Sequence, residues 1–289
     1  MFSSVLITTD TSAASTRLVR YAAQLRAWGS RRAVLVYAVH VRPVPGLYES
    51  VRDLAMPTLR MQTELLRGAG FEVELEIPQG HPPTEIMRVA REKQCDVIVT
   101  ASRSESLMEG LFLGSMAHAI LQASRLPVLL IRMERLNEEG RLECPIGFVN
   151  LFEHVLHPTD FSDVAERAFL YLERAVEQTH SAVTLLHVQA PAADEEQNEL
   201  DRERLGRLRD ALEKHGARQV SIELARGTPA AKLLERLRRG DCTLVWMGTQ
   251  GRGYLEEIFI GSVAHELARH ALVPVLYVPA RVGVTKPVG

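Results

Sequence analysis

The sequence predicts an α/β protein made of two repeated doubly wound domains, each a five-stranded parallel sheet flanked by helices, the two packed as an internal pseudo-dimer. Three observations lead there: residue pairs that recur at a fixed offset, short apolar runs alternating with amphipathic segments, and a Gly-Ser pair opening a helix late in each half. Gly114 and Gly261, His40-Val41 and His187-Val188, Cys95 and Cys242, His118 and His265, and Pro127-Val128 and Pro274-Val275 all stand 147 residues apart. Asp10 and Asp160 stand 150 apart, so a three-residue length difference falls between the first and second strands. Self-similarity at that scale is the mark of a duplicated domain.

Each copy opens with a short β-type run, VLITTD from Val5 or HVLHPTD from His154, followed by a helix-patterned segment with Ser or Asp near its start. AVLVYAVHV and AVTLLHVQ supply the second strand. FEVELEIP and QVSIELAR alternate in polarity, whereas DVIVTAS and TLVWMGT are almost wholly apolar, as buried parallel strands are. PVLLIR and PVLYVP close the copies, and TEIMRVAREK and AAKLLERLRR are amphipathic helices between strands. The resulting β-α-β-α-β-α-β-α-β order calls for a parallel sheet covered by helices.

The domains are expected at residues 1–134 and 151–289. Between them ERLNEEGRLECPIGFVN, from Glu134, is charged, carries Gly140, Pro145 and Gly147 and lacks periodicity, so 135–150 reads as a linker. Because both copies end in an apolar strand, pairing of those last strands would hide an exposed edge. ADEEQNELDRERLGRLRDALEKHG, from Ala193, has leucines at helical spacing and early acidic residues, and reads as a solvated amphipathic helix.

Composition bounds the function. The 289 residues are 46% hydrophobic and 24% charged with a formal net charge of -2, which fits a globular chain and offers no broad electrostatic pull toward nucleic acid or an anionic membrane. Three dispersed cysteines, Cys95, Cys144 and Cys242, suggest neither a disulfide framework nor a zinc site and fit a reducing cytoplasm. MFSSVLITTD is too short an apolar run for a signal peptide and has no basic start, and no apolar run long enough to span a membrane follows. A soluble cytoplasmic protein is expected, with small ligands or proteins as partners.

GTQGRGYLEEIFIGS, Gly248 to Ser262, carries the chemistry. It follows the apolar TLVWM and precedes the helical SVAHELARHA, the place where an open parallel sheet binds ligands. A helix start offers free N–H groups and a positive dipole end to a phosphate, glycine allows close approach, and Ser262 adds a hydroxyl. The first copy has ASRSESLMEGLFLGS, with Ala101 and Ser104 in place of Gly248 and Gly251. Since it builds the same connection, the extra glycines point to a ligand rather than to the fold. A methyl at Ala101 would obstruct close approach or a left-handed turn, the latter costing ~1–2 kcal/mol, about tenfold in affinity.

These residues resemble the universal stress protein family, whose ATP-binding members carry G-x2-G-x9-G-[S/T]; Gly248, Gly251, Gly261 and Ser262 match it. HPTDFSDVAERA, from His157, is similar to the opening strand and turn of that family, and the resemblance covers nearly the whole chain as a tandem pair. It implies an adenine and ribose pocket around Pro158, Thr159, Asp160, His187 and Val188, with the triphosphate on Gly248, Gly251, Arg252, Gly253, Gly261 and Ser262. It also implies Mg2+ or Mn2+ held through the phosphates, with no protein metal cluster. The first copy keeps Asp10, Gly114 and Ser115 but departs at Ala101 and Ser104, leaving the second as the expected ATP-binding half.

Competing readings are weaker. HELARH, His265 to His270, misses the zinc-protease spacing because its second histidine comes five residues after the first and turns away. His40 and His187, Cys95 and Cys242, and Trp246 read as structural. Neither a G-x-S-x-G elbow nor a G-x-x-x-x-G-K-[ST] loop is present, which leaves only Arg252 as an obvious cation beside phosphates. Asp160 and Asp163 could orient water or cap the helix they precede. The expected function is an ATP-binding stress-response regulator that presents a nucleotide-dependent surface to a partner protein; a slow ATPase switch and a nucleotide-independent scaffold are the alternatives.

Overall fold

A computed structural model describes residues 2–40, 44–102, 114–132, 135–136, 142–143, 150–251 and 260–280. The chain divides into two compact units, one built on Met1–Pro145 and the other on Ile146–Val282. Each is a five-stranded parallel sheet with helices between its strands.

The first unit runs β1 (Ser4–Thr8), α1 (Ala13–Ala22), a 3-10 turn (Ala23–Trp28), β2 (Arg32–Val36), α2 (Leu47–Gly68), β3 (Glu72–Glu76), α3 (Pro82–Glu92), β4 (Val97–Ser102), α4 (Ser115–Ala123) and β5 (Val128–Arg132). A short antiparallel pair, β6 (Arg135–Leu136) with β7 (Leu142–Glu143), lies within the stretch read as a linker. The second unit runs β8 (His154–Pro158), α5 (Asp163–Thr179), β9 (Ala182–Gln189), α6 (Glu195–Lys214), β10 (Gln219–Arg226), α7 (Pro229–Leu237), β11 (Leu244–Gly248), α8 (Ser262–His270) and β12 (Val275–Val278).

In the second unit β8 is flanked by β9 and β11, with β10 and β12 outside them; in the first, β1 is flanked by β2 and β4 in the same way. The chain therefore winds one way from the first strand and then the other, leaving a crevice beyond the carboxyl ends of β8 and β11. Central strands are buried on both faces: every residue of β1 and of β11 is buried. By contrast β3 and β10, rich in charged residues, are mostly half-exposed, which suits outer strands. Trp246 is fully buried in β11 with its indole N–H donating to the Ala168 carbonyl at 3.0 Å. Cys95 and Cys242 are buried too, and burial pushes their thiols up to about 11 and about 12.

The two units differ where a proline intervenes. The run AVLVYAVHV makes a strand only as far as Val36, while its counterpart β9 continues to Gln189. Val39 N–H donates to the Pro78 carbonyl at 2.8 Å, but Pro78, standing where the second unit has Ala225, has no N–H to return, so only an isolated Val39–Gln79 bridge follows. Among the described residues no helix is long and apolar enough to cross a membrane.

Candidate functional site

Both units make the turn from first strand to first helix with the same bonds. Thr159 Oγ1 accepts from Phe161 N–H at 3.0 Å, and Asp160 Oδ1 accepts from Ser162 N–H at 3.1 Å and from its hydroxyl at 2.6 Å. Ser162 Oγ in turn caps α5 by accepting from Ala165 N–H at 3.3 Å. Thr9, Asp10, Ser12 and Ser15 repeat the set in the first unit. The residue after each aspartate is held at positive φ, 58° at Phe161 and 65° at Thr11, a conformation that costs a non-glycine ~1 kcal/mol or more. Phe161 then packs on His187, ring centroids 4.6 Å apart, with the Arg204 guanidinium over its ring.

A cavity of about 600 Å3 opens at the carboxyl end of the second unit's sheet, within the size range of small-ligand sites. It gathers nine of the residues predicted from sequence: Pro158, Thr159, Asp160, His187, Val188, Gly248, Gly251, Gly261 and Ser262. Arg252 and Gly253 lie outside the described residues. Val263 and Ala264 also line it, from the first turn of α8. The N-cap of that helix is Gly261, and no side chain caps it, unlike α1, α5 and α6 with Ser12, Ser162 and Asp194. Its first-turn N–H groups have no partner four residues back, which makes the helix start a place for an anion.

Of the two roles expected for the glycines, close approach and a left-handed turn, the structure has the first: Gly248, Gly251 and Gly261 are absent from the residues at positive φ. A Cβ at Gly251 would fall 2.4 Å from Asp160 Oδ2, and one at Gly261 would fall 3.3 Å from the Thr249 carbonyl oxygen. Gly261 N–H donates to that same oxygen at 2.7 Å, so the two ends of the loop close on each other. At Gly248 a Cβ would meet Val164 of α5, 2.7 Å from Cγ1 and 3.2 Å from its carbonyl oxygen. The first unit has Ala101 at this strand position and Ala14 at the helix position. Gly248 is thus accounted for by strand-to-helix packing, which corrects the inference that the fold has no use for it; Gly251 and Gly261 keep the loop backbone against Asp160 and against itself.

Among the lining residues that were not predicted are Gln189, Gln197 and Asp201. Asp201 on α6 is 1% exposed and accepts from Gln189 Nε2 at 2.8 Å and from Gln197 Nε2 at 2.9 Å. Burial alone raises its carboxyl, but those two bonds and the nearby His187 and Arg204 outweigh it and hold the group below the usual carboxylate range. His187 donates from Nδ1 to the Thr159 carbonyl at 2.7 Å, and its Nε2 lies 3.5 Å from Asp201 Oδ2, so it serves both the framework and the cavity wall. The stretch read as a solvated helix therefore has a buried side, and that side reaches the cavity wall. Its signal was a carboxylate in register with the buried Leu205 and Leu212. Farther away, His270 Nε2 of the HELARH segment approaches Glu266 at 3.4 Å.

A family model described as the universal stress protein family matches residues 1–132 and 151–279. Universal stress protein YxiE of Bacillus subtilis is 33% identical over 117 residues, 39% of this chain and 79% of that one. The crystal structure of a universal stress protein from Archaeoglobus fulgidus aligns over 96% of this chain and 98% of its own with a TM-score of 0.76 and 22% identity. That of a functionally unknown protein, PA1789, from Pseudomonas aeruginosa aligns over 96% and 93% with a TM-score of 0.60 and 15% identity. These two structural likenesses concern the fold.

Proposed function

Because the chain belongs to the universal stress protein family, we propose that its second unit binds ATP and that the protein acts as a nucleotide-responsive regulator. The observation that carries the reading is the cavity in which Asp160, the glycine loop and the uncapped start of α8 meet. Ser262, Val263 and Ala264 would hold phosphate oxygens through their N–H groups, with the Ser262 hydroxyl beside them. Asp160, fixed through Oδ1 by Ser162, would turn its other oxygen to the sugar, and the ends of β8 and β9 would flank the base.

The charge of the lining bears on the cofactor. Among the described residues the cavity wall contains the carboxylates Asp160 and Asp201 and no lysine or arginine. Among those residues only amide dipoles and the Ser262 hydroxyl would meet a triphosphate of high negative charge, and a Mg2+ or Mn2+ ion carried by the phosphates would add neutralisation. Such binding would alter the surface around α6 and α8, and that change is what a partner protein would read.

The test is calorimetric titration of the purified chain with Mg-ATP, beside Gly251→Ala and Gly261→Ala. The added methyl at 251 meets the Asp160 carboxylate, and overpacking of ~1–3 kcal/mol weakens binding by about fivefold or more. The variants should keep the parent's circular dichroism. Unchanged affinity in both, or no ATP binding by the parent, refutes the reading.

A further inference from the structure

The amino end of the second unit's sheet, away from the cavity that holds Asp160 and the glycine loop, brings three dissimilar donors together. His154 opens β8, while Asp241 and Cys242 stand just before β11. An imidazole nitrogen, a carboxylate oxygen and a sulfur, one from each, lie within 4.8 Å of one another. His154 Nδ1 is 3.6 Å from Asp241 Oδ2, and Cys242 Sγ is 3.8 Å from Asp241 Oδ1. Bonds of ~2.0–2.3 Å from a tetrahedral Zn2+ set neighbouring donors about 3.3–3.8 Å apart, so a small movement closes the set.

The surroundings suit an ion. The Arg236 guanidinium, with Nη1 2.5 Å from Oδ1 and Nη2 2.9 Å from Oδ2, holds the Asp241 carboxyl down at about 2 and fixes its orientation. Each carboxylate oxygen keeps a further lone pair. His154 Nε2 lies 2.8 Å from Thr184 Oγ1, which is itself 2.8 Å from Ser221 Oγ. The hydroxyls can run this relay in either direction. When Nε2–H donates to Thr184, the Nδ1 lone pair is left facing two acceptors, Asp241 Oδ2 and the Asp241 carbonyl oxygen at 3.1 Å, and a cation resolves that conflict. A hydrogen bond from the far nitrogen is what orients a metal-ligating histidine. A cavity of about 260 Å3, with His154, Asp241 and Ser221 in its wall, gives an ion a way in, and Cys242 is buried.

The first unit shows that the fold does not call for this set. In the matching register Ser4, Val34 and Gln94 stand where His154, Thr184 and Asp241 do, and the cysteine is shared as Cys95. The cysteine belongs to the repeated core, whereas the imidazole, its hydroxyl partner and the carboxylate are peculiar to the second unit.

We propose that His154, Asp241 and Cys242 form a Zn2+ site, with solvent from the cavity as the fourth ligand and Thr184 as the positioning residue for the imidazole. Imidazole together with thiolate selects a borderline-soft ion over Mg2+ or Ca2+. The Cys242 thiol releases its proton to solvent as the Zn–S bond forms. This site is independent of the nucleotide reading.

Equilibrium dialysis of the full chain against Zn2+, with chelator competition for affinity and Co2+ absorption spectra, tests the proposal. The parent should take up about one Zn2+ per chain, and Co2+ should give the visible bands of a tetrahedral site with a thiolate charge-transfer band in the near ultraviolet. Cys242→Ala should abolish the charge-transfer band. His154→Ser, which imports the first unit's Ser4, should weaken Zn2+ by about tenfold or more, and Thr184→Val, which imports Val34, by about tenfold, while Thr184→Ser keeps the parent's affinity. If Cys242→Ala or His154→Ser loses the parent's circular dichroism, the Thr184 pair decides. No uptake by the parent overturns the proposal, and so does any of the first three substitutions that keeps the fold and leaves both affinity and spectrum unchanged.

Discussion

His157, in β8, should make the second unit acid-sensitive. Its ring is fully buried beside Phe169, Nδ1 donates to the Trp246 carbonyl at 2.8 Å, and Nε2 has no partner. Burial, only partly offset by that bond, lowers its pKa from 6.5 to about 4. The folded state thus resists a proton that the unfolded chain accepts below pH ~6.5, so stability is full above that value and falls as pH drops toward about 4. The complete difference is about 3 kcal/mol at 1.36 kcal/mol per pH unit, of which about 2 kcal/mol is gone by pH 5. Ile7 occupies the corresponding position in the first unit, so His157→Ile imports a residue the fold already uses. Urea unfolding followed by fluorescence at pH 7.5 and pH 5.0 should show the parent's Trp246-reporting transition losing stability, and the variant losing about 2 kcal/mol less. The variant also removes the hydrogen bond to the Trp246 carbonyl and should start ~1 kcal/mol lower at pH 7.5. An equal pH dependence in both proteins would refute the assignment.

Two further outcomes concern packing and reactivity. Gly248→Ala should destabilise the second unit by ~1–3 kcal/mol, and Val164→Ala in the same chain should recover part of the loss, since it removes Cγ1 but not the backbone oxygen 3.2 Å away; additive losses in a double-mutant cycle would contradict the packing account. Cys95 and Cys242, with thiols raised to about 11 and about 12, should resist alkylation at pH 8 in native protein and react promptly in urea, as intact-mass measurement would report.

The repeated order of strands and helices was legible because apolar runs and amphipathic segments recur at nearly constant spacing, and the cavity was legible because Pro158 to Asp160 and the glycine loop mark the two strand ends that flank the crevice. The reason for each glycine was not. Gly248 answers to Val164, a partner 84 residues away in sequence, and nothing along the chain announces that contact. Asp201 was hidden differently: it sits in a segment so charged that one buried carboxylate does not stand out, and its partners Gln189 and Gln197 are ordinary surface residue types. The short β2 was concealed by an apolar run longer than the ladder that Pro78 allows.

The turn shared by Asp10 and Asp160 is closed by its own side chains, each aspartate spending one carboxylate oxygen on the serine two residues on. It needs no guest to be complete. After duplication, a half that ceased to carry a ligand would therefore meet no folding penalty at this point, and drift would have little opportunity to erase the aspartate. In such tandem chains the aspartate by itself is therefore no record of occupation.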